Sequence, residues 1–122
     1  MVKLMIVDDS NLIRSRIARV CNDPRLAKLQ VIALAKNGKE ALSFAYKHKP
    51  DCVTLDITMP EMDGDACLQE LLKITPHARV LIISALSDKA TALKLLTKGA
   101  IGFLHKPFTD RSLSDALLEL LS

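Results

Sequence analysis

The chain lacks a long apolar segment and a strong excess of charge of one sign. Its apolar start, from Met1 to Val7, soon meets Asp8 and Asp9, so it has neither the length nor the flanks of a signal peptide or a membrane span. The formal net charge is +3 and 25% of the residues are charged, which is ordinary for a globular domain. We therefore expect a cytoplasmic protein with no membrane contact and no direct binding to nucleic acid.

The cysteines also lack a functional pattern. Cys21, Cys52 and Cys67 are odd in number and show none of the close paired spacings of a zinc site or a redox dithiol, so we expect buried free thiols. No linker, repeat or low-complexity tract interrupts the chain. With 122 residues, 49% of them hydrophobic, the sequence has about the size of one compact domain, and we expect residues 1–122 to form it.

Five short apolar runs are present instead, each rich in Val, Ile or Leu and closed by a polar or small residue. Because the runs are continuous rather than alternating, they predict strands of a parallel sheet that is covered on both faces. The runs are Leu4 to Val7, Val31 to Ala35, Cys52 to Leu55, Val80 to Ile83 and Ile101 to Leu104.

Stretches with helical spacing separate these runs. Asn37 with Glu40 resembles a capping box, and Gly99 stands where a left-handed residue would end the fourth helix. Five strand–helix units with right-handed crossovers predict an α/β fold: a doubly wound, flavodoxin-like sheet of strand order 2-1-3-4-5 with five helices. The clearest helical faces are Ile13, Ile17, Val20 and Cys21, then Leu113, Leu117, Leu120 and Leu121, and the stop signals are Pro24, Pro50 and Pro76.

The residues at the ends of the predicted strands share a chemistry. Asp8 and Asp9 follow the first strand, Asp56 ends the third, Ser84 ends the fourth, and Lys106 lies just past the fifth. Ligand sites of such sheets lie outside the carboxyl ends of the strands, so these residues are expected to converge. Three close carboxylates repel one another unless a cation sits among them, which predicts a bound metal, and Mg²⁺ suits a few oxygen donors beside a phosphate.

Asp56 is the candidate nucleophile of this cluster. A carboxylate can form an aspartyl phosphate, and the middle strand would place Asp56 at the centre. Lys106 and Mg²⁺ would stabilise the charge on the transferring phosphoryl oxygens, and Ser84 could hydrogen-bond one of them. Taken alone, each residue has a structural explanation as a helix-start acid, a turn hydroxyl or a surface lysine. Their joint placement favours phosphoryl transfer.

Four stretches of the sequence closely resemble the response-regulator receiver family, and the resemblance runs from end to end. In order along the chain they are Leu4 to Ser10 (LMIVDDS), Leu55 to Gly64 (LDITMPEMDG), Ile83 to Ala85 (ISA) and His105 to Phe108 (HKPF). The resemblance implies a switch protein in which Asp56 is phosphorylated by a sensor histidine kinase or a phosphotransfer protein.

The resemblance also assigns the metal ligands and the lysine. It implies that Asp8, Asp9 and Asp56 hold Mg²⁺, with the backbone carbonyl of Thr58 completing the protein ligands. It further implies that Lys106 contacts the phosphoryl group across a cis bond to the following residue, Pro107.

The resemblance implies a signalling surface as well. Ser84 would couple to Phe103, which turns inward when the hydroxyl is drawn toward the phosphoryl group, and this coupling shifts an existing equilibrium. The face of the fourth helix, fifth strand and fifth helix would then meet a downstream protein target. The fourth helix carries Lys89, Lys94 and Lys98, which can equally be a solvated face.

Several residues depart from the family pattern or leave its details open. Phe103 stands where chemotaxis members carry tyrosine, so a motor-switch partner does not follow from the sequence. Thr58 and Leu86 occupy positions that tune the phosphoryl lifetime, which stays open. His48, His77 and His105 have no partner spacing and are interpreted as surface or internally satisfied histidines, although a phosphoryl group could influence His105.

Three other functions are consistent with parts of the sequence. A flavin module of the same strand order would need a Ser, Thr or Gly-rich phosphate loop after the first strand, where Asp8 and Asp9 stand. An aspartate-nucleophile phosphatase would place a second acid where Thr58 stands and would add a cap domain, so enzymatic turnover is not expected. The chain could also be a receiver cut from a longer regulator or a phosphorelay shuttle. A monomer or weak dimer is expected, and the pathway, chemotaxis or another, is open.

Overall fold

The computed structural model describes residues 1–59, 63–85 and 89–122. These form alternating strands and α-helices, and the strands make up one sheet. A short 3₁₀ helix, Pro24–Leu26, precedes the second strand. The elements are β1 Val2–Val7, α1 Asn11–Val20, β2 Leu29–Ala35, α2 Gly38–His48, β3 Cys52–Asp56, α3 Gly64–Ile74, β4 Arg79–Ala85, α4 Lys89–Leu96, β5 Gly102–Lys106 and α5 Asp110–Leu121.

The sheet has the predicted topology. All neighbouring strands pair in parallel, in the order β2-β1-β3-β4-β5, so β1, β3 and β4 are inner strands. The prediction for the fifth strand was displaced, because the strand begins one residue after Ile101 and extends beyond Leu104. Lys106 is therefore the last residue of β5 and does not lie past it.

Alternate residues of the inner strands pack into two separate cores, one on each face of the sheet. This explains why the apolar runs are continuous. In β1, Met5 and Val7 pack in one core, whereas Leu4 and Ile6 pack in the other. The first core includes apolar residues of α2, α3 and α4, and the second includes those of α1 and α5. Both faces of the sheet are covered, as predicted for a parallel sheet.

Side-chain caps fix where the helices begin. Ser10 Oγ accepts the N–H of Ile13 at the start of α1, and Asn37 Oδ1 accepts the N–H of Glu40 at 2.7 Å at the start of α2. The predicted capping box at α2 forms only in part, because the carboxylate of Glu40 accepts the N–H of Lys36 instead of that of Asn37. The caps place the amino ends of α1 and α2 after the carboxyl ends of β1 and β2.

Gly99 is required by the backbone that follows α4. Its φ is +118°, a conformation that side chains with a Cβ rarely adopt, and a Cβ there would lie 2.7 Å from Leu72 Cδ1. The helix itself ends three residues earlier, at Leu96. The positive φ predicted for Gly99 is thus confirmed, whereas its predicted place at the end of the fourth helix is displaced, because a short turn lies between Leu96 and Gly99.

The three cysteines are buried and unpaired, as predicted from their spacing. Burial raises the pKa of the Cys21 and Cys67 thiols to about 11, so both resist forming the reactive thiolate. No helix in the described part of the chain combines the length and the apolar character needed to cross a bilayer.

Candidate functional site

The three aspartates predicted to converge do meet at the carboxyl edge of the sheet. Asp56 ends β3, and Asp8 and Asp9 follow the adjacent strand β1. Each contributes a carboxylate oxygen, and these oxygens all lie within 4.8 Å of one another. Asp8 and Asp56 are buried, at 0% and 1% exposure, whereas Asp9 is exposed. Two buried carboxylates this close require compensating positive charge.

Lys106 supplies part of that charge. Its Nζ donates to Asp8 Oδ2 at 2.9 Å and to Asp56 Oδ2 at 3.0 Å, because β5 carries the lysine to the same edge. Burial lowers the pKa of Lys106, but its bonds to the two carboxylates outweigh that effect, and the net shift is upward. The side chain therefore stays an ammonium at neutral pH.

The charge balance of the cluster fits a metal ion. Burial raises the pKa of Asp8, and this outweighs the lowering by the N–H of Ser10 and by Lys106, so Asp8 lacks sufficient positive charge nearby. Three carboxylates against the one ammonium bonded to them in the described residues leave a net negative site. Hard oxygen donors in this number suit Mg²⁺, which keeps several waters of its own.

The two oxygens of the Asp56 carboxylate have different partners. Oδ1 accepts the backbone N–H of Thr58 at 2.8 Å and the Thr58 hydroxyl at 2.6 Å, whereas Oδ2 accepts from Lys106. The carboxylate is thus held in one orientation, with a defined face toward the cluster. The hydroxyl bond was not predicted from the sequence, and metal binding by the carbonyl of Thr58 stays a prediction.

Ser84, Phe103 and His105 form a second group on the β4–β5 side of the site. Ser84 is fully buried and lies opposite His105 in the strand register, with 3.5 Å between its Oγ and His105 Nδ1. Phe103 is half-buried, packs on the core below α4, and meets the His105 ring edge-on with 5.0 Å between ring centroids. The sequence interpretation gave His105 no partner; the structure gives it two.

The loop after β5 is fastened to α1 by Arg16. The peptide bond between Lys106 and Pro107 is cis. Arg16 donates to the carbonyl of Phe108 at 2.8 Å and to Asp110 at 2.9 Å, and its guanidinium lies 4.6 Å from the centre of the Phe108 ring. Sequence reasoning missed this contact because no local pattern joins residues 92 apart along the chain.

Two of the three lysines predicted on the fourth helix, Lys89 and Lys94, lie in α4, whereas Lys98 lies in the turn after it, because the helix ends at Leu96. Lys98 pairs with Asp65 of α3 at 2.9 Å, and Lys94 reaches the same carboxylate at 3.9 Å. Lys89 is exposed at the start of α4. Leu86, expected to tune the phosphoryl lifetime, lies outside the described residues, as do residues 60–62 of the second resembling stretch.

The fold and this cluster define a receiver domain, and comparison with known proteins agrees. The response regulator receiver domain family matches residues 4–118, and the chain belongs to that family. The match supports the hypothesis of a receiver domain over that of a flavin-binding module with the same strand order.

Two relatives indicate which kinds of receiver domain this chain resembles. The chain is 40% identical over 121 residues to the chemotaxis protein CheY of Listeria monocytogenes, covering 99% of this chain and 96% of that one. It is 43% identical over 111 residues to a protein-glutamate methylesterase/protein-glutamine glutaminase of Aliivibrio fischeri, covering 89% of this chain but 29% of that protein. The chain is thus a CheY-like receiver domain of two-component signalling.

A solved structure shares the whole fold. The structure described as the CheX-CheY-BeF3-Mg+2 complex from Borrelia burgdorferi superposes with a TM-score of 0.87 at 32% identity, covering 99% of this chain and 90% of that one. The fold predicted from the sequence is therefore that of solved receivers.

Proposed function

We propose that this chain is a phospho-accepting response regulator in which Asp56 takes a phosphoryl group from a phosphohistidine of a sensor histidine kinase or phosphotransfer protein. One observation carries the proposal. The Asp56 carboxylate is buried at the centre of the edge, oriented by Thr58 on one oxygen and by the Lys106 ammonium on the other. A fixed carboxylate beside a fixed cation is suited to accept a phosphoryl group.

Asp8, Asp9 and Asp56 are the residues that would hold Mg²⁺, with the carbonyl of Thr58 as the further protein ligand. The support is that one oxygen of each of the three carboxylates lies within 4.8 Å of the others, and that burial raises the pKa of Asp8. When bound, the ion neutralises charge that develops on the phosphoryl oxygens.

The chain's own residues account for the transfer. An oxygen of Asp56 attacks phosphorus, the bond from phosphorus to the donor imidazole nitrogen breaks, and the electron pair stays on that nitrogen. Lys106 lies 3.0 Å from the attacking carboxylate and would contact an oxygen of the arriving phosphoryl group. Ser84 would donate its hydroxyl hydrogen to another of these oxygens. Hydrolysis of the aspartyl phosphate later resets the protein, so it acts as a switch and not as an enzyme with multiple turnovers.

The output would be read by a downstream protein on the face of α4, β5 and α5. This surface combines the exposed Lys89 with the exposed apolar side chains of Leu93 and Ile101, at 44% and 46% exposure. Ser84 and Phe103 would connect the site to this face. The names of the relatives favour chemotaxis as the pathway. A single receiver domain, residues 1–122, that is cytoplasmic and forms a monomer or weak dimer would suit this role.

Acetyl phosphate tests the acceptor directly. Purified protein is incubated with acetyl phosphate with and without Mg²⁺, and its intact mass is followed. We expect one phosphoryl adduct that requires Mg²⁺ and is absent in Asp56→Asn, because the amide is a poor nucleophile. An adduct of equal amount on the Asp56→Asn protein would contradict the proposal.

The metal ligands are tested by the same assay at varied Mg²⁺. Asp9→Ala should raise the Mg²⁺ concentration that gives half of the maximal adduct, because it removes one of the three carboxylate ligands. Asp51→Ala is the matched control, an exposed aspartate at the opposite end of β3, and should leave that concentration unchanged. An unchanged Mg²⁺ dependence in Asp9→Ala would remove Asp9 from the metal site.

A further inference from the structure

The described structure places His105 between the two residues of the proposed switch. On one side its Nδ1 lies 3.5 Å from the hydroxyl oxygen of Ser84, which is fully buried. On the other side its ring meets Phe103 at 66°, edge to face, with 5.0 Å between centroids. Among the described residues, His105 is the hydrogen-bonding partner of the Ser84 hydroxyl.

The strand register makes this arrangement part of the fold. Ser84 and His105 are directly paired across β4 and β5, and Phe103 precedes His105 by two residues, on the same face of β5. Main-chain pairing therefore places the Ser84, His105 and Phe103 side chains next to one another on one face of the sheet.

The serine hydroxyl can serve only one acceptor at a time. A hydroxyl carries one hydrogen, whereas a neutral imidazole offers one acceptor nitrogen and one N–H. If Ser84 donates to His105 Nδ1, it cannot also donate to a phosphoryl oxygen on Asp56. A charged phosphoryl oxygen is the stronger acceptor, so the hydrogen bond should move to it when Asp56 is phosphorylated.

We propose that His105 is a positioning residue of this switch, which accepts the Ser84 hydroxyl hydrogen in the unphosphorylated protein and transmits the reversal of that hydrogen bond to Phe103. In the free protein, Nδ1 accepts from Ser84 and the ring hydrogen is on Nε2. After phosphorylation, Ser84 donates to the phosphoryl group, and the ring hydrogen transfers through water from Nε2 to Nδ1, which then donates to Ser84 Oγ. The transfer moves one hydrogen within the ring, and no proton is gained or lost overall.

This inference rests on the proposed function, and it goes beyond it by giving the histidine between the switch residues a defined role. Because His105 is half-buried, water can reach the ring for the transfer. The change of tautomer moves a polar hydrogen on the ring that packs against Phe103. It would therefore change the packing of the aromatic ring on which the output face depends.

Nitrogen NMR of labelled histidines is the first arm of the test. Spectra are recorded at about pH 8.5, where ordinary imidazoles are neutral, with and without beryllofluoride and Mg²⁺, which mimic the phosphoryl group. We expect the ring hydrogen of His105 to move from Nε2 to Nδ1, whereas His48 and His77 keep their tautomers. They are the internal controls, since neither is near the site.

Two variants of His105 form the second arm. His105→Leu removes the acceptor, whereas His105→Asn offers a side-chain amide near the position of Nδ1. Without the acceptor, Ser84 is free to serve the phosphoryl mimic, so we expect His105→Leu to bind beryllofluoride about fivefold more tightly than wild type and His105→Asn to restore the wild-type affinity.

Fluorine-labelled phenylalanine reports the packing change in the same samples. The Phe103 signal of His105→Leu should lie partway toward its beryllofluoride-bound position before any mimic is added, and the signals of Phe44 and Phe108 should not move. A Phe103 signal of His105→Leu that stays at the wild-type position would contradict the inference.

The outcomes separate this inference from the proposed function. If beryllofluoride does not bind, as judged by the fluorine signal of the bound mimic, the proposed function and the inference both fail. If it binds while the His105 tautomer stays unchanged, the inference alone is overturned. Because the tautomer is measured on wild-type protein, the test remains decisive even if His105→Leu does not fold.

Discussion

The helices on the two faces of the sheet are fastened in different ways. On the α1 and α5 face, Arg16 joins α1 to the loop after β5 and to Asp110, and Arg25 joins Asp23 to Asp115 of α5. On the face of α2, α3 and α4, the described ion pairs that hold this region are those of Lys94 in α4 and of Lys98 in the turn after it, both with one aspartate of α3. Buried Ala92 and Leu95 also pack α4 on the core of this face.

This difference agrees with the separate roles of the two faces at the site. The fastened face holds the loop that follows Lys106, the residue that must keep its place for the chemistry. The other face carries α4, part of the surface proposed to change when Asp56 is phosphorylated. Directional charged contacts fix a position, whereas apolar contacts permit small shifts between packed arrangements.

The largest expected effects on the free energy of unfolding come from truncating one buried leucine on each face of the sheet. Leu117 of α5 and Leu95 of α4 are both fully buried, so Leu117→Ala and Leu95→Ala should each lower the free energy of unfolding by about 2–5 kcal/mol. Urea denaturation measures both. Losses of similar size would show that the two faces differ in their polar contacts and not in their apolar packing. A loss below about 1 kcal/mol for Leu95→Ala alone would contradict the packing described for α4.

Arg16→Gln should have the next largest effect. It removes two hydrogen bonds and the contact with the Phe108 ring, so we expect a loss of about 1–2 kcal/mol in unfolding free energy. Phosphorylation of Asp56 by acetyl phosphate should also slow several-fold, because the loop next to Lys106 is loosened. Arg19→Gln, an exposed arginine of the same helix, is the control. Equal phosphorylation rates in the two variants would show that the Arg16 contact does not support the site.

Asp23→Asn should change the acid side of the stability profile. The backbone N–H of Arg25, followed by its side chain and the Ser114 hydroxyl, lowers the pKa of Asp23 from 3.8 to about 2. Because the folded-state pKa lies below the unfolded value, this stabilisation is present above pH 3.8 and is lost as the pH falls toward 2.

The measurement is the urea midpoint across that range. The Asp23→Asn protein should lose less stability than wild type between these pH values, and Asp115→Asn, on the other side of Arg25, should keep the wild-type slope. An unaltered acid slope in Asp23→Asn would refute the role of this carboxyl in fastening α5.

Lys98→Gln should have the smallest effect. Its ion pair with Asp65 is exposed, and exposed pairs contribute little because water and salt screen them. We expect a shift of the urea midpoint close to that of Lys94→Gln and well below that of Arg16→Gln. A loss as large as that of Arg16→Gln would remove the contrast between the two faces.

The fold and the acidic cluster could be predicted because both follow from patterns along the chain. Continuous apolar runs indicated buried parallel strands, and strand ends brought Asp8, Asp56 and Lys106 to one edge. Contacts between distant segments could not be predicted in this way. Arg16 and Phe108 meet only because α1 and the loop after β5 lie side by side, and neither residue differs in type from an ordinary surface arginine or core phenylalanine.

His105 was missed for a more specific reason. The predicted fifth strand ended at Leu104, which left His105 outside the paired residues, whereas the strand continues to Lys106. Only the pairing with β4 sets His105 opposite Ser84, and register is not visible in one strand alone. A strand extended to Lys106 would have put His105 on the face of Phe103 by simple alternation.

Mapping the phosphoryl group is the most direct test of the central claim. After treatment with acetyl phosphate and Mg²⁺, borohydride reduces an aspartyl phosphate to homoserine, and peptide mass spectrometry locates the altered residue. The account predicts a single homoserine at position 56. A modification at Asp8 or Asp9 instead, or a phosphoryl group on Ser84 or His105 with position 56 unchanged, would contradict it.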